Sequence, residues 1–432
     1  MSRKYFNFHV RDKALIKQQM LSWANRFNIC CFMDNHGYES AYHSFDCLLG
    51  IDAVTYFEPA DSLDAGLDRY IDQCKDWIFG HFNYDFKQHL QPNPSKLIDL
   101  VGFPQAFVFV PRVLIRLVND ELVIGVHDDD ANTIYNQICA EVPGTGATYP
   151  NVQVKARFSP AEYIETVKHL LEHIHRGDCY EINFCQEFYA QDVIVNPLLL
   201  YAHLAALSPN PFCTYYKLQN RYLLCASPER FLKKIGNKLI AQPIKGTWSR
   251  NLTDEEQDSR NKQALTESEK DKSENVMVVD LVRNDLSKVC TKGTVQVEEL
   301  FGIYTFPQVY QMISTVVGRV ESNVPFSKIL QATFPMGSMT GAPKVKVLKL
   351  IEHHEKTRRG IFSGAVGYFT PEKDFDFNVV IRSLMYNGAN RYLSYHVGGG
   401  ITSRSIPENE YDECVLKAVA INKVLNIAPG HK

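Results

Sequence analysis

Two pairs of acidic residues sit at a spacing that could build a cation site. Asp271-Lys-Ser-Glu274 lies in a helical-looking stretch from Asp258 to Asp285, and Glu410-Tyr-Asp-Glu413 opens the last helix the pattern predicts. Residues three apart share one helix face. Where two such faces converge, four carboxylates make a hard oxygen site of the kind Mg2+ takes, an ion that binds few protein carboxylates and keeps waters or substrate oxygens. Acidic pairs of this kind are also common on solvated helices. Glu274 differs in bordering the mostly apolar run Val276–Val282, a poor setting for a simple surface charge.

Lysine supplies the second candidate. Lys238-Leu-Ile-Ala-Gln-Pro-Ile-Lys-Gly-Thr247 places Lys245 after a proline and an isoleucine and before a glycine turn. An amine with an ordinary pKa of ~10.4 attacks carbon at neutral pH only if it is partly desolvated or lies near other cations. A lysine snorkelling at a strand end is the other reading. Gly337-Ser-Met-Thr-Gly-Ala-Pro-Lys344 lacks phosphate-loop spacing, and Gly398-Gly399-Gly400 is not a dinucleotide fingerprint. Three glycines at the end of the apolar strand Tyr392–Val397 mean that another chain segment or a ligand comes close to the backbone there.

The elements that must position these groups read as a mixture. Ala14 to Phe27 has a helical pattern. Gln105 to Pro111 and Val113 to Val118 read as strands, with a hairpin turn at Asn119-Asp120. Pro143 to Asn151 is turn-rich, so the chain divides into residues 1–143, a connecting loop 144–155, and a region 156–428, the first and last expected to form one intertwined unit. In the last region strands follow one another by short turns, as at Gln219-Asn220 within Tyr215–Ala226, which favours antiparallel sheets with packed helices, an α+β architecture. Composition excludes several classes. Of 432 residues, 46 are Lys or Arg and 49 Asp or Glu, so no net basic charge suits nucleic acid. No apolar run nears the ~20 residues of a membrane span. The N-terminus lacks a signal peptide's apolar segment, and eleven scattered cysteines without a C-x-x-C pair read as reduced core thiols, so a cytoplasmic enzyme is expected.

Six segments in order, Ser227-Pro-Glu-Arg-Phe231, Pro243-Ile-Lys-Gly-Thr247, Glu274 to Asp285, Phe334 to Lys344, Gly364-Ala-Val-Gly-Tyr368 and Gly398-Gly-Gly-Ile401, resemble the chorismate-utilising enzymes. The N-terminal third resembles the amination members more loosely, through Leu21-Ser-Trp-Ala24 and Ser44 to Gly50. The resemblance implies an antiparallel sheet sandwich with helices outside. It implies Mg2+ held by Glu274 and Glu413, with Asp271 and Glu410 close by. Arg382 and Tyr368 are expected to grip the enolpyruvyl carboxylate, and Thr247, Gly398, Gly399, Gly400 and Lys417 to make further substrate contacts. Lysine at position 245 resembles the aminodeoxychorismate synthases, whereas anthranilate synthases carry alanine there. The resemblance therefore implies a transaminase-class amination of chorismate in the folate and p-aminobenzoate route. In it Lys245 attacks C2, the C4 hydroxyl leaves with a proton from Glu229, and ammonia expels the lysine. An ion pair with Arg230 is the competing role for Glu229, and a non-catalytic scaffold the competing role for the chain.

Departures from the family pattern carry information too. Gln311 stands where many relatives have histidine, so a proton-donating role there falls away or passes to Glu229. Glu181 stands where isochorismate and salicylate synthases have a water-activating lysine, which argues against those reactions and suggests a role in steering or deprotonating ammonium. His36 replaces the serine of the family's tryptophan site, so the resemblance leaves tryptophan binding open. Nothing resembles a glutaminase nucleophile turn. A separate glutamine amidotransferase is therefore the expected ammonia source.

Overall fold

A computed structural model describes residues 2–39, 41–59, 65–86, 95–144 and 152–427. The turn-rich stretch read as a connection falls largely on 145–151, outside the described residues. Its expected end is shortened, because Lys155–Ala156 already forms a strand against Tyr189 and Phe188.

The helix beneath Glu274 shows how local chemistry places a site residue. Asp258 to Asp285 read as one helical stretch, but two helices form, Glu255–Glu267 and Glu269–Ser287, divided at Ser268. The Ser268 hydroxyl accepts the Asp271 N–H, a capping bond that starts the second helix. The second helix then lays Val278, Val279, Leu281 and Leu286 on the sheet. The last predicted helix also divides, into Pro407–Lys417 and Val419–Val424.

All strand pairings among the described residues are antiparallel, and most join sequence neighbours or near neighbours. The Tyr392–Thr402 strand pairs with Glu181–Ala190 over its whole visible register, from Leu393 opposite Ala190 to Thr402 opposite Glu181. The predicted hairpin at Gln219-Asn220 joins Phe212–Leu218 to Arg221–Ser227. Two pairings cross the expected domain boundary: Ile29–Asp34 pairs with Phe212–Leu218, and Ile78–Phe82 with Ala365–Phe369.

Neighbouring side chains on these strands enter different cores. Cys30 and Phe32 belong to one apolar cluster and Cys31 to the other; Leu49 and Ile115 join the first, Leu48 and Leu114 the second. Successive strand side chains point to opposite faces, so both faces of this sheet are covered. That is the sandwich, with helices such as Lys13–Ala24 and Pro160–His175 outside it. It also explains why the strands read as apolar runs instead of alternating patterns. The run from Ala106 to Val118 is a single strand, not two. Pro111 is tolerated inside it because the partner strand has a register irregularity between Ala53 and Thr55, where the missing N–H is least costly.

Candidate active site

Pro243 and the register irregularity after Ile244 turn Lys245 out of the regular ladder with Val309–Arg319. Gly246 follows with φ +87, and a methyl on it would come within 3.0 Å of Asp271 and Leu265. Only glycine meets both conditions easily. The Lys245 amine ends 2.6 Å from Glu181 Oε1; the Glu181 side chain is buried and that of Lys245 nearly so. Beneath them lies Gly400. A Cβ at that position would stand 2.5 Å from Lys245 Nζ and 2.7 Å from Glu181 Oε1. What comes close to the third glycine is thus an ion pair of the same chain. Burial alone pushes the Lys245 pKa down, but Glu181, with Glu274 and Glu413 further off, outweighs it and holds the ammonium form above its ordinary value. Partial desolvation is present, but the protein's own carboxylates keep the amine charged.

The two acidic helices come within electrostatic reach of one another. Glu274 feels the charges of Lys245, Glu181 and Glu413, and burial with the two acids raises its pKa against Lys245 and Lys270. Burial and Glu413 likewise raise Glu410. Glu413 is held below its ordinary value by Lys417, whose amine lies 2.8 Å away and also donates to the Gly398 carbonyl at 2.8 Å. Gly399 faces this group: a Cβ there would lie 3.3 Å from Glu410 Oε2 and 3.8 Å from Glu413 Oε1. Asp271 has a different partner, accepting from the Trp248 indole N–H at 3.4 Å. Among the described residues no three acidic or imidazole groups are gathered tightly enough for a ready-made cage. The donor set is nevertheless all oxygen, anionic and partly buried, which fits Mg2+, because that ion completes its shell with waters and substrate oxygens.

Glu229 lies in the connection between the strands Arg221–Ser227 and Arg230–Ile235. Burial raises its pKa to about 7, against the opposing pull of the Ser338 hydroxyl, Lys245, the Ile244 N–H and Arg382. Arg230 does not neutralise it. The Arg230 guanidinium turns the other way, to Asp376 at 2.8 Å and to Gln242. Burial lowers the pKa of Arg382 to about 10, with Glu229 opposing, and its backbone takes φ +51, a left-handed conformation uncommon for arginine. Glu229 thus feels the charges of both Lys245 and Arg382. Thr247, exposed, pairs with Gln311 across the strands. Gln311 is 0% exposed, and among the described residues neither of its amide atoms has a hydrogen-bond partner.

Tyr368 is not brought to this group. It faces a separate cavity of about 100 Å³, lined by Asn35, Ser44, Thr214, Arg230 and Asp376 among others, and packs on Phe45 and Trp77. Among the described residues Tyr368 makes no contact with Arg382, the residue expected to share its grip on the carboxylate. In the Ala365–Phe369 strand side-chain parity sends Tyr368 into the aromatic core, away from Arg382. Ser44, and not His36, contributes to the wall of that cavity. Lys344 is likewise structural: buried, it binds Asp285 at 2.6 Å and the carbonyls of Thr333 and Pro335. The partner that sequence reasoning left open was that of Lys245. Glu181 was visible as an acid where relatives differ, but no local pattern joins it to residue 245.

Comparison with known proteins adds to this geometry. The family model described as chorismate binding enzyme matches residues 43–423. A probable chloroplastic aminodeoxychorismate synthase of Oryza sativa subsp. japonica is 39% identical over 293 residues, 66% of this chain and 32% of that protein. The chain thus spans about a third of that relative's length. Aminodeoxychorismate synthase component 1 of Klebsiella aerogenes is 32% identical over 349 residues, covering 80% of this chain and 76% of that one. Anthranilate synthase component I of Streptococcus pneumoniae TIGR4 shares the fold with a TM-score of 0.77 at 23% identity, over 90% of this chain and 93% of the other.

Proposed function

Because the chain belongs to the family of chorismate binding enzymes, we propose that it aminates chorismate at C4, as an aminodeoxychorismate synthase component I. The observation that carries this reading is a lysine amine set close enough to a buried carboxyl with a pKa of about 7 for its charge to act on that carboxyl.

The roles follow from the groups present. Arg382, with its planar fork, takes the enolpyruvyl carboxylate. Glu274 and Glu413, with Glu410 beside them, would hold Mg2+, whose chemistry is to neutralise the ring carboxylate and stabilise charge developing in the ring. The backbone of Gly398, Gly399 and Gly400, with Thr247 and Lys417 at the rim, borders the ring. Lys245 Nζ bonds to C2, both ring double bonds shift, and the C4–O bond breaks. Glu229 gives the departing hydroxyl its proton, so that water leaves. Ammonia then bonds to C4, the double bonds return and the C2–N bond breaks. Dividing one substitution into two steps through a lysine adduct is ordinary covalent catalysis. A separate glutamine amidotransferase is the proposed ammonia source.

The test is product identification from chorismate, Mg2+ and ammonium salt. 4-Amino-4-deoxychorismate with its pyruvyl group retained is the expected product. Anthranilate with prompt pyruvate release would replace this reading by the other amination, and no turnover at any ammonium concentration would leave a non-catalytic scaffold.

A further inference from the structure

Lys245 has to lose a proton before it can attack carbon, and the fold gives that proton one short way out. Among the described residues the ammonium makes a single ion pair, with Glu181 at 2.6 Å. The two groups come from different elements, Ile244–Ser249 and Glu181–Ala190, and meet over the bare α-carbon of Gly400. Their contact is sheltered from both sides: Glu181 is 4% exposed, and the strand that carries it is hydrogen-bonded to Gly341–Ala342 on one edge and to Tyr392–Thr402 on the other.

We propose that Glu181 is the catalytic base for Lys245, taking the ammonium proton as chorismate fills the cleft and returning it when the lysine is expelled. This rests on the covalent reading above. The resting state is ammonium and carboxylate. A ring and two carboxylates entering this space displace water, and in dry surroundings a neutral amine and carboxylic acid compete with an ion pair. The proton moves from Nζ to Glu181 Oε1, and the Nζ lone pair forms the bond to C2. Glu229 then gives its proton to the leaving hydroxyl. In the second half ammonia adds at C4 and the C2–N bond breaks. Nζ departs with the electron pair and recovers its proton from Glu181, while the new C4 ammonium returns one to Glu229. The sum is chorismate plus ammonia giving aminodeoxychorismate plus water, with every protein group restored.

Other charged groups face Lys245 from each packed element: Glu274 from Glu269–Ser287, Glu413 from Pro407–Lys417, and Glu229 from the connection before Arg230. None of them makes an ion pair with it. They set the local potential, whereas Glu181 supplies the hydrogen bond along which a proton can pass.

The experiment follows adduct formation by rapid quench and intact mass, with full-length protein, chorismate and Mg2+ but no ammonia. E181Q keeps the shape and removes the acceptor. It is expected to form the Lys245 adduct about 100-fold more slowly, the lower end of what one positioned base contributes. Its rate should rise with pH as solvent base takes over, while the chorismate Kd from intrinsic fluorescence stays within about 2-fold. E181D should recover part of the rate. Adduct formation by E181Q at the wild-type rate, with an unmoved pH profile, overturns the role of Glu181 and leaves covalent catalysis standing. A wild-type protein that forms no adduct at Lys245 overturns both. If E181Q does not fold, E181D carries the test, and a wild-type rate with an unmoved pH profile in that variant overturns the proposal.

Discussion

A single methyl group on Gly400 should separate the chemistry from the fold. In G400A the new Cβ stands 2.5 Å from Lys245 Nζ and 2.7 Å from Glu181 Oε1. Ordinary contact begins at 3.4 Å, so the amine must retreat by about 0.9 Å (3.4 − 2.5). Both atoms end flexible side chains, so the retreat strains no backbone and should leave the melting temperature within about 2 °C of wild type. Reaction geometry is less forgiving. A displacement of about 1 Å costs roughly 100-fold in rate, or about 2.7 kcal/mol of transition-state stabilisation. Steady-state kcat/KM for chorismate with ammonium, alongside a thermal melt, measures both. G398A is the control: its Cβ would sit 2.0 Å from the Phe184 carbonyl oxygen and 2.7 Å from the Cys185 α-carbon, both backbone, so this variant should lose the fold itself. Full activity in G400A, or equal destabilisation in the two variants, would refute the assignment of that glycine to the Lys245–Glu181 pair.

Other expectations can be checked as directly. E274A and E413A should each lose Mg2+-dependent turnover while keeping the wild-type circular dichroism spectrum, since neither side chain fills the core; near-normal activity at low Mg2+ would move the cation site elsewhere. Glu229 binds its proton more tightly folded than unfolded, so its stabilising contribution is complete below about pH 4.5 and is lost as pH rises through about 7. E229Q should remove that loss, about 3 kcal/mol by pH 8, from urea titrations at several pH values, and should abolish the fall of kcat/KM that loss of the Glu229 proton causes as pH rises through about 7. D285A strands the buried Lys344 amine, which lies 2.6 Å from Asp285, and should cost about 3–5 kcal/mol in chemical denaturation. Y368F should leave chorismate binding within about 2-fold by titration, whereas R382A, which removes a charge-assisted pair worth more than a neutral hydrogen bond, should weaken it by roughly 10-fold or more.

The sequence by itself determined the antiparallel α+β class, the hairpin at Gln219-Asn220, the glycine turn after Lys245 and the two acidic pairs. These are short-range matters: turn chemistry, side-chain spacing and the preference of one residue for one backbone conformation act within a few positions. It also led to the right family, through motifs whose order survives without any knowledge of contacts. Tertiary structure decided the rest. Whether Glu274 and Glu413 meet depends on how two helices far apart in the chain pack on the sheet. The strand running through Pro111 depended on a register shift in a neighbouring strand. Tyr368 left the site because strand parity and an aromatic core outbid a motif-level expectation. The protonation of Lys245 belongs to the same class, since burial and Glu181 act on it in opposite directions and only their distances show which prevails. A carboxylate 64 positions away along the chain becomes the nearest neighbour of an amine only when two strands and three glycines bring them together, and no local pattern in the chain contains that distance.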